Sequence, residues 1–174
     1  MRTVSMFVLS AIMFLFHILL APAIEIFIAK IDFIMISIVL LAVFSKKWYP
    51  SVICGVYSGL AVDITTQAGT YINTGIYLAF GLLIGFGALI MKNNEFVPTV
   101  LITGILTALK HLVFVFLLYV MRLSESFTFG TFIYGLPSVA YTLVACAGIY
   151  FVYKGIFSFP FMEEKTGEEG KRFI

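Results

Sequence analysis

Six apolar runs, separated by short polar breaks, make up most of this chain: residues 4–21, 33–44, 51–64, 74–91, 96–121 and 131–153. A helix that crosses hydrocarbon needs about 20 predominantly apolar residues, each rising ~1.5 Å across a core of about 30 Å. The runs therefore predict six transmembrane helices. The breaks carry Lys46-Lys47-Trp48-Tyr49-Pro50, residues 65–73, Lys92-Asn93-Asn94-Glu95 and residues 122–130. Trp48, Tyr49 and Tyr153 fall where an interfacial aromatic belt belongs. The second and third runs are short, spanning roughly 20 Å at the helical rise. Residues 24–32 and the Trp48-Tyr49-Pro50 corner extend them, or tilt and neighbouring helices accommodate them. A hairpin that never crosses is the other reading of those two runs.

Charge placement gives the runs a direction. With the N-terminus cytoplasmic, Arg2, Lys46, Lys47, Lys92, Lys154, Lys165, Lys171 and Arg172 fall inside. Only Lys30 and Arg122 fall outside, and Lys110 lies within a run. Eight against two is the asymmetry of a protein with both termini in the cytoplasm. The expected division is a six-span membrane domain over 1–153 and a short cytoplasmic tail over 154–174. Ala21-Pro22-Ala23 resembles a signal-peptidase site, but the preceding run is longer than an ordinary signal core and has one arginine ahead of it. Retention of the first run is expected.

Composition removes several function classes. The chain of 174 residues is 61% hydrophobic and 11% charged, with a mean hydropathy of +1.09. Soluble domains carry about 45–50% apolar and about 25% charged residues. This excess excludes a water-soluble enzyme, a nucleic-acid-binding domain and a disordered chain. The lipid bilayer is the solvent for most of the sequence.

Four ionisable residues interrupt the apolar runs: His17, Asp63, Lys110 and His111. Ionisable groups at membrane depth mark partners or function. Counted from the cytoplasmic ends of their runs, His17, Asp63 and Lys110 each lie roughly 18–21 Å in, which makes one intramembrane polar layer in the outer half. An Asp63–Lys110 ion pair with a histidine nearby is one account of it. The other is that both charges snorkel to the outer boundary. A pair implies that Asp63→Ala harms folding more than Asp63→Ala combined with Lys110→Met.

Gly55, Gly59 and Asp63 repeat at i, i+4, i+8 and so share one helix face, and Gly81 and Gly85 form a second small-residue face. Such faces serve close packing inside the bundle or the docking of a partner. Cys54 and Cys146 lie in apolar runs without metal-ligand spacing and read as small packing residues. The sequence holds no Ser-His-Asp arrangement, HExxH, CxxC or phosphate-cradling loop, so catalytic, metal and cofactor sites are not expected.

Asp32-Phe33-Ile34 opens one apolar run. Lys46-Lys47 follows, then Gly55-Val-Tyr-Ser-Gly59-Leu-Ala-Val-Asp63-Ile64, then Gly69 and Gly75 before the next run. Over residues 32–85 this order resembles the MreD family of bacterial rod-shape proteins. Ile31 stands where many members have proline, and Thr65-Thr66-Gln67 replaces their usual Gly/Ser-rich turn. The resemblance implies a non-enzymatic scaffold of the cell-elongation machinery in the bacterial plasma membrane. It would bind an MreC-like bitopic protein, with MreB, RodA and a penicillin-binding transpeptidase in the wider complex. The fold implied is an all-α six-span bundle, N-in and C-in, resembling that of the substrate-binding S components of energy-coupling-factor transporters. An S component is also the alternative function. His17, Asp63, Lys110 and His111 would then hold a vitamin or metal, although the first run lacks the Ala-x-x-x-Ala face such components use to dock.

Overall fold

The structure is a computed structural model describing residues 2–23, 30–45, 47–66, 71–90, 95–121 and 135–158. Six helices are described: α1 (Arg2–Ala23), α2 (Phe33–Ser45), α3 (Tyr49–Thr65), α4 (Ile72–Ile90), α5 (Phe96–Val120) and α6 (Leu136–Phe157). Three of them, over Ser5–Ala23, Phe96–Val120 and Leu136–Phe157, are long and apolar enough to cross a membrane. The start of the sixth run, residues 159–174 of the expected tail, Gly69 and the Lys92-Asn93-Asn94 break lie outside the described residues.

α2 organises the bundle. Its sequence, Phe33-Ile-Met-Ile-Ser-Ile-Val-Leu-Leu-Ala-Val-Phe-Ser45, has no polar face, the pattern of a helix surrounded by protein core or by lipid. All thirteen of its residues are buried. α1, α3, α4, α5 and α6 each touch it, arranged as successive neighbours in the order α1, α3, α4, α5, α6. At ~1.5 Å per residue α2 is only about 20 Å long. Its shortness is tolerable because its ends are wrapped by protein instead of lipid.

The contacts at the two ends show that successive helices run in opposite directions. At one end Phe44 packs on Tyr150 and Phe157, with ring centroids 5.3 and 5.4 Å apart. There too Phe96 meets Tyr150 at 5.2 Å, and Trp48 stacks on Phe86 at 5.8 Å with rings 3° from parallel. The opposite end gathers Asp32, Asp63, Asn73, Thr74, Lys110, Ser138 and Thr142. The aromatic end is called the inner end below, the polar one the outer.

α3 and α4 form the tightest pair. Pro50, in the first turn of α3, has its φ preset for a helix and loses no needed donor there. Beyond it Gly55 and Gly59 face the backbone of α4 at Tyr77 and Thr74, while Gly81 and Gly85 face the backbone of α3 at Ser51 and Trp48. The two small-residue faces of the sequence thus meet each other within one chain.

α5 and α6 are joined differently. Thr99, Thr103 and Thr107 form a buried stripe on α5, each hydroxyl donating to the carbonyl four residues back. Cys146 of α6 reaches the Thr103 hydroxyl at 3.4 Å. Small hydroxyl groups that satisfy themselves locally permit this close approach without leaving a buried donor free.

Candidate functional site

The site is assembled where α2 begins. Asp32 precedes the first helical residue, and its Oδ1 accepts the Met35 N–H at 3.0 Å, closing the first turn of α2. The same carboxylate accepts the Tyr77 hydroxyl of α4, 3.2 Å from Oδ1 and 3.3 Å from Oδ2. Lys110 of α5 donates to Oδ2 in an ion pair, and its Nζ also donates to the Tyr77 hydroxyl at 3.1 Å. One carboxylate therefore ties α2, α4 and α5 together. Its own chain is held from the fourth side, by α6. The Asp32 N–H donates to the Thr142 hydroxyl at 3.1 Å, and the Lys30 N–H to the Ser138 hydroxyl at 3.2 Å. These side chains supply the acceptors that a non-helical backbone at membrane depth must find within the protein.

The Asp63–Lys110 pair considered from the sequence is not formed: Lys110 pairs with Asp32, and Asp63 serves another purpose. The Asp63 carboxylate accepts four hydrogen bonds from the first turn of α4. Asn73 N–H and Nδ2 reach Oδ1 at 3.2 and 2.9 Å, and Thr74 N–H and hydroxyl reach Oδ2 at 2.8 and 2.6 Å. Tyr71, which precedes α4, has no side-chain acceptor for those amides. Asp63 provides the cap from α3 and places its charge at the positive end of the helix.

The single polar layer is accordingly two stations. Asp63 lies at the first turn of α4, and Tyr77 marks the Asp32–Lys110 station one turn further in. His17 of α1 stands at the inner station, against the Ile31 backbone and in electrostatic reach of Asp32 and Lys110. His111 follows Lys110 on α5 and feels both charges. His17 Nδ1 and His111 Nε2 are buried and meet no hydrogen-bonding group among the described residues. Among the described residues, no three His, Cys, Asp or Glu side chains converge as metal ligands do.

Replacing Asp63 by alanine is expected to lower bundle stability by about 1–2 kcal/mol, the usual scale of a lost cap. The check is thermal unfolding in detergent, alone and with Lys110→Met. The two losses should add, because the residues share no partner. A double variant more stable than Asp63→Ala would restore the direct pair.

Asp32 and Tyr77 are the residues that sequence reasoning missed as site members. In the sequence Asp32 figures as the opening of an apolar run and as part of the 32–85 resemblance, not as a member of the polar layer. The available signal was the length of that run: a helix of about 20 Å that ends at the inner surface must begin well below the outer one. No family model, curated protein or solved structure matches this chain.

Proposed function

We propose that the chain is a six-span scaffold of the bacterial plasma membrane, with both termini cytoplasmic, and not an enzyme. In this reading it belongs to the cell-elongation machinery and helps set rod shape. It links an MreC-like bitopic protein and MreB to RodA and a penicillin-binding transpeptidase. The observation that carries the reading is how the intramembrane charges are used. Asp32, Lys110 and Tyr77 bond to one another, and Asp63 bonds to α4, so each holds helices in place. A bundle so braced acts through its outer surfaces. The large exposed apolar side chains on α1, α5 and α6, such as Leu19, Ile105 and Val144, are surfaces of that kind. The alternating helix directions and the lysine and arginine asymmetry support the N-in, C-in arrangement.

A second reading, the S component, is favoured by one specific feature: the two buried imidazole nitrogens of His17 and His111 that, among the described residues, meet no partner beside the ion pair. Gentle solubilisation of native membranes through a C-terminal tag, followed by mass spectrometry, separates the two. The scaffold reading expects an MreC-like protein and elongation synthases in the eluate. Recovery of two ATPases with a coupling membrane subunit would replace it with the transporter reading.

A further inference from the structure

The Asp32 carboxylate is engaged on both oxygens. Oδ1 accepts the Met35 N–H and the Tyr77 hydroxyl, and Oδ2 accepts Lys110 and the same hydroxyl. Lys110 is its counter-ion. A second basic side chain stands beside the pair. His17 of α1 bonds to the backbone of Ile31, the residue directly before Asp32. Its Nδ1 is buried and meets no hydrogen-bonding group among the described residues. A buried polar atom in that position has given up hydration and gained no bond in return.

The charged groups in electrostatic reach of His17 are Asp32 and Lys30, ahead of α2, and Lys110 of α5. Asp32 acts on it more strongly than Lys110 does. His111, which follows Lys110 on α5, has the opposite balance, with the ammonium outweighing the carboxylate. On α3, which also packs against α1, Tyr57 meets the Phe14 ring, and Asp63 is taken up by Asn73 and Thr74. His17 is therefore the imidazole on the carboxylate side of the ion pair, and His111 the one on the ammonium side.

We infer that His17 is the alternative counter-ion of Asp32, taking the place of Lys110 when the His17 ring is protonated. Protonation makes both ring nitrogens donors and adds a positive charge beside the carboxylate. Imidazole is the side chain whose charge changes within the physiological pH range. With Lys110 in place, the added proton sets two cations to compete for one buried carboxylate, so acid weakens the folded state. The exchange also moves a tie. The Asp32–Lys110 pair holds the start of α2 to α5, whereas an Asp32–His17 pair holds it to α1. Lys110 retains the Tyr77 hydroxyl as an acceptor when the carboxylate turns away. The device belongs to the bracing of the bundle and operates whichever proteins the bundle binds.

The test measures the unfolding constant of the full chain in bicelles between about pH 7.5 and about pH 5.5, where imidazole titrates. The wild-type protein should unfold more readily as the pH falls. The constant should rise by up to about tenfold per pH unit for each histidine that folding keeps neutral. His17→Gln, whose amide can still bond the Ile31 backbone but takes no charge, should lower this slope. Lys110→Met should reverse it. With the ammonium gone, protonated His17 supplies the missing positive charge, so this variant should gain stability as the pH falls. The gain should vanish in Lys110→Met combined with His17→Gln and persist in Lys110→Met combined with His111→Gln. A gain that survives His17→Gln would mean that Asp32 takes up the proton itself, and would overturn the exchange. A gain lost with His111→Gln instead would overturn the assignment to His17. If Lys110→Met fails to insert, the wild-type slope decides, and a slope unchanged by His17→Gln would overturn the inference.

Discussion

Replacing Lys110 by methionine is expected to destabilise the bundle by about 3–5 kcal/mol, the cost of leaving one member of a buried ion pair without its counterpart. The side chains of Lys110 and Asp32 are 13% and 4% exposed, so neither charge has water to fall back on. The effect should not come from lost volume, since methionine is unbranched and fills irregular gaps of lysine-stem length. Asp32→Asn should cost a similar amount by stranding the ammonium. The informative variant is the double one. Asparagine still accepts the Met35 amide and the Tyr77 hydroxyl, so α2 keeps its cap, and with Lys110→Met no charge remains at depth. Asp32→Asn combined with Lys110→Met should therefore be more stable than either single variant. Unfolding in bicelles, arranged as a double-mutant cycle, measures this directly. A double variant that loses the sum of the single losses would mean that the two charges do not stabilise each other.

The charge at Lys110 was legible in the sequence, and its partner was not, for a geometric reason. Counted from the ends of α1, α3 and α5 that the charge asymmetry predicts to be cytoplasmic, Asp63 and Lys110 coincide in depth. Asp32 enters from the other side, at the start of a helix only thirteen residues long. A helix that short, reaching the inner aromatic cluster through Phe44, must start at about the height of Lys110. The two accounts of Asp63, a pair with Lys110 or a charge at the boundary, both pass over Asn73 and Thr74, which bond its carboxylate from the start of α4. A carboxylate next to the start of a following helix has unsatisfied amides at hand. That His17 Nδ1 and His111 Nε2 meet no hydrogen-bonding group among the described residues is not legible in the sequence, because it depends on which way each ring faces.

The helices themselves were read closely. The run 33–44 became Phe33–Ser45, and 96–121 became Phe96–Val120. Lipid-facing and core-facing positions are both apolar here, so hydropathy marks the ends well and the packing faces poorly. The sixth helix shows the difference. It runs past the Tyr153 limit to Phe157, through Lys154, because Phe157 stacks on Tyr153 and Phe44, and a long lysine stem lets its charge leave the helix surface. The buried position of α2 was foreshadowed only by its lack of any polar face. Its place at the centre follows from the other helices having exposed faces of their own.

The spacing that was most fully legible, Gly55-x-x-x-Gly59-x-x-x-Asp63, also gives the second large effect. An added Cβ on Gly55 would lie 2.4 Å from the Tyr77 carbonyl oxygen, and one on Gly59 would lie 2.6 Å from the Thr74 Cα. Both obstacles are backbone, which cannot rotate aside, so α4 must move outward by a sizeable fraction of an ångström or more. The opposing wall is equally tight: a Cβ on Gly81 would sit 2.8 Å from the Ser51 carbonyl oxygen. Alanine improves intrinsic helix propensity by about 1 kcal/mol over glycine, and overpacking costs about 1–3 kcal/mol, occasionally more. Here the second effect should win, because the displacement does not stop at the clash. Tyr77 and Thr74, the two residues struck, are also the α4 partners of Asp32 and Asp63. Gly55→Ala and Gly59→Ala should therefore each lower stability, and Gly148→Ala on α6, where a Cβ meets nothing within 4 Å, should leave it unchanged or raise it slightly. The coupling can be tested separately from the clash. If the steric effect travels through Tyr77, Gly55→Ala should cost less in the Asp32→Asn/Lys110→Met background, where there is no ion pair to disturb. Equal losses in both backgrounds would confine the effect to the α3–α4 contact itself.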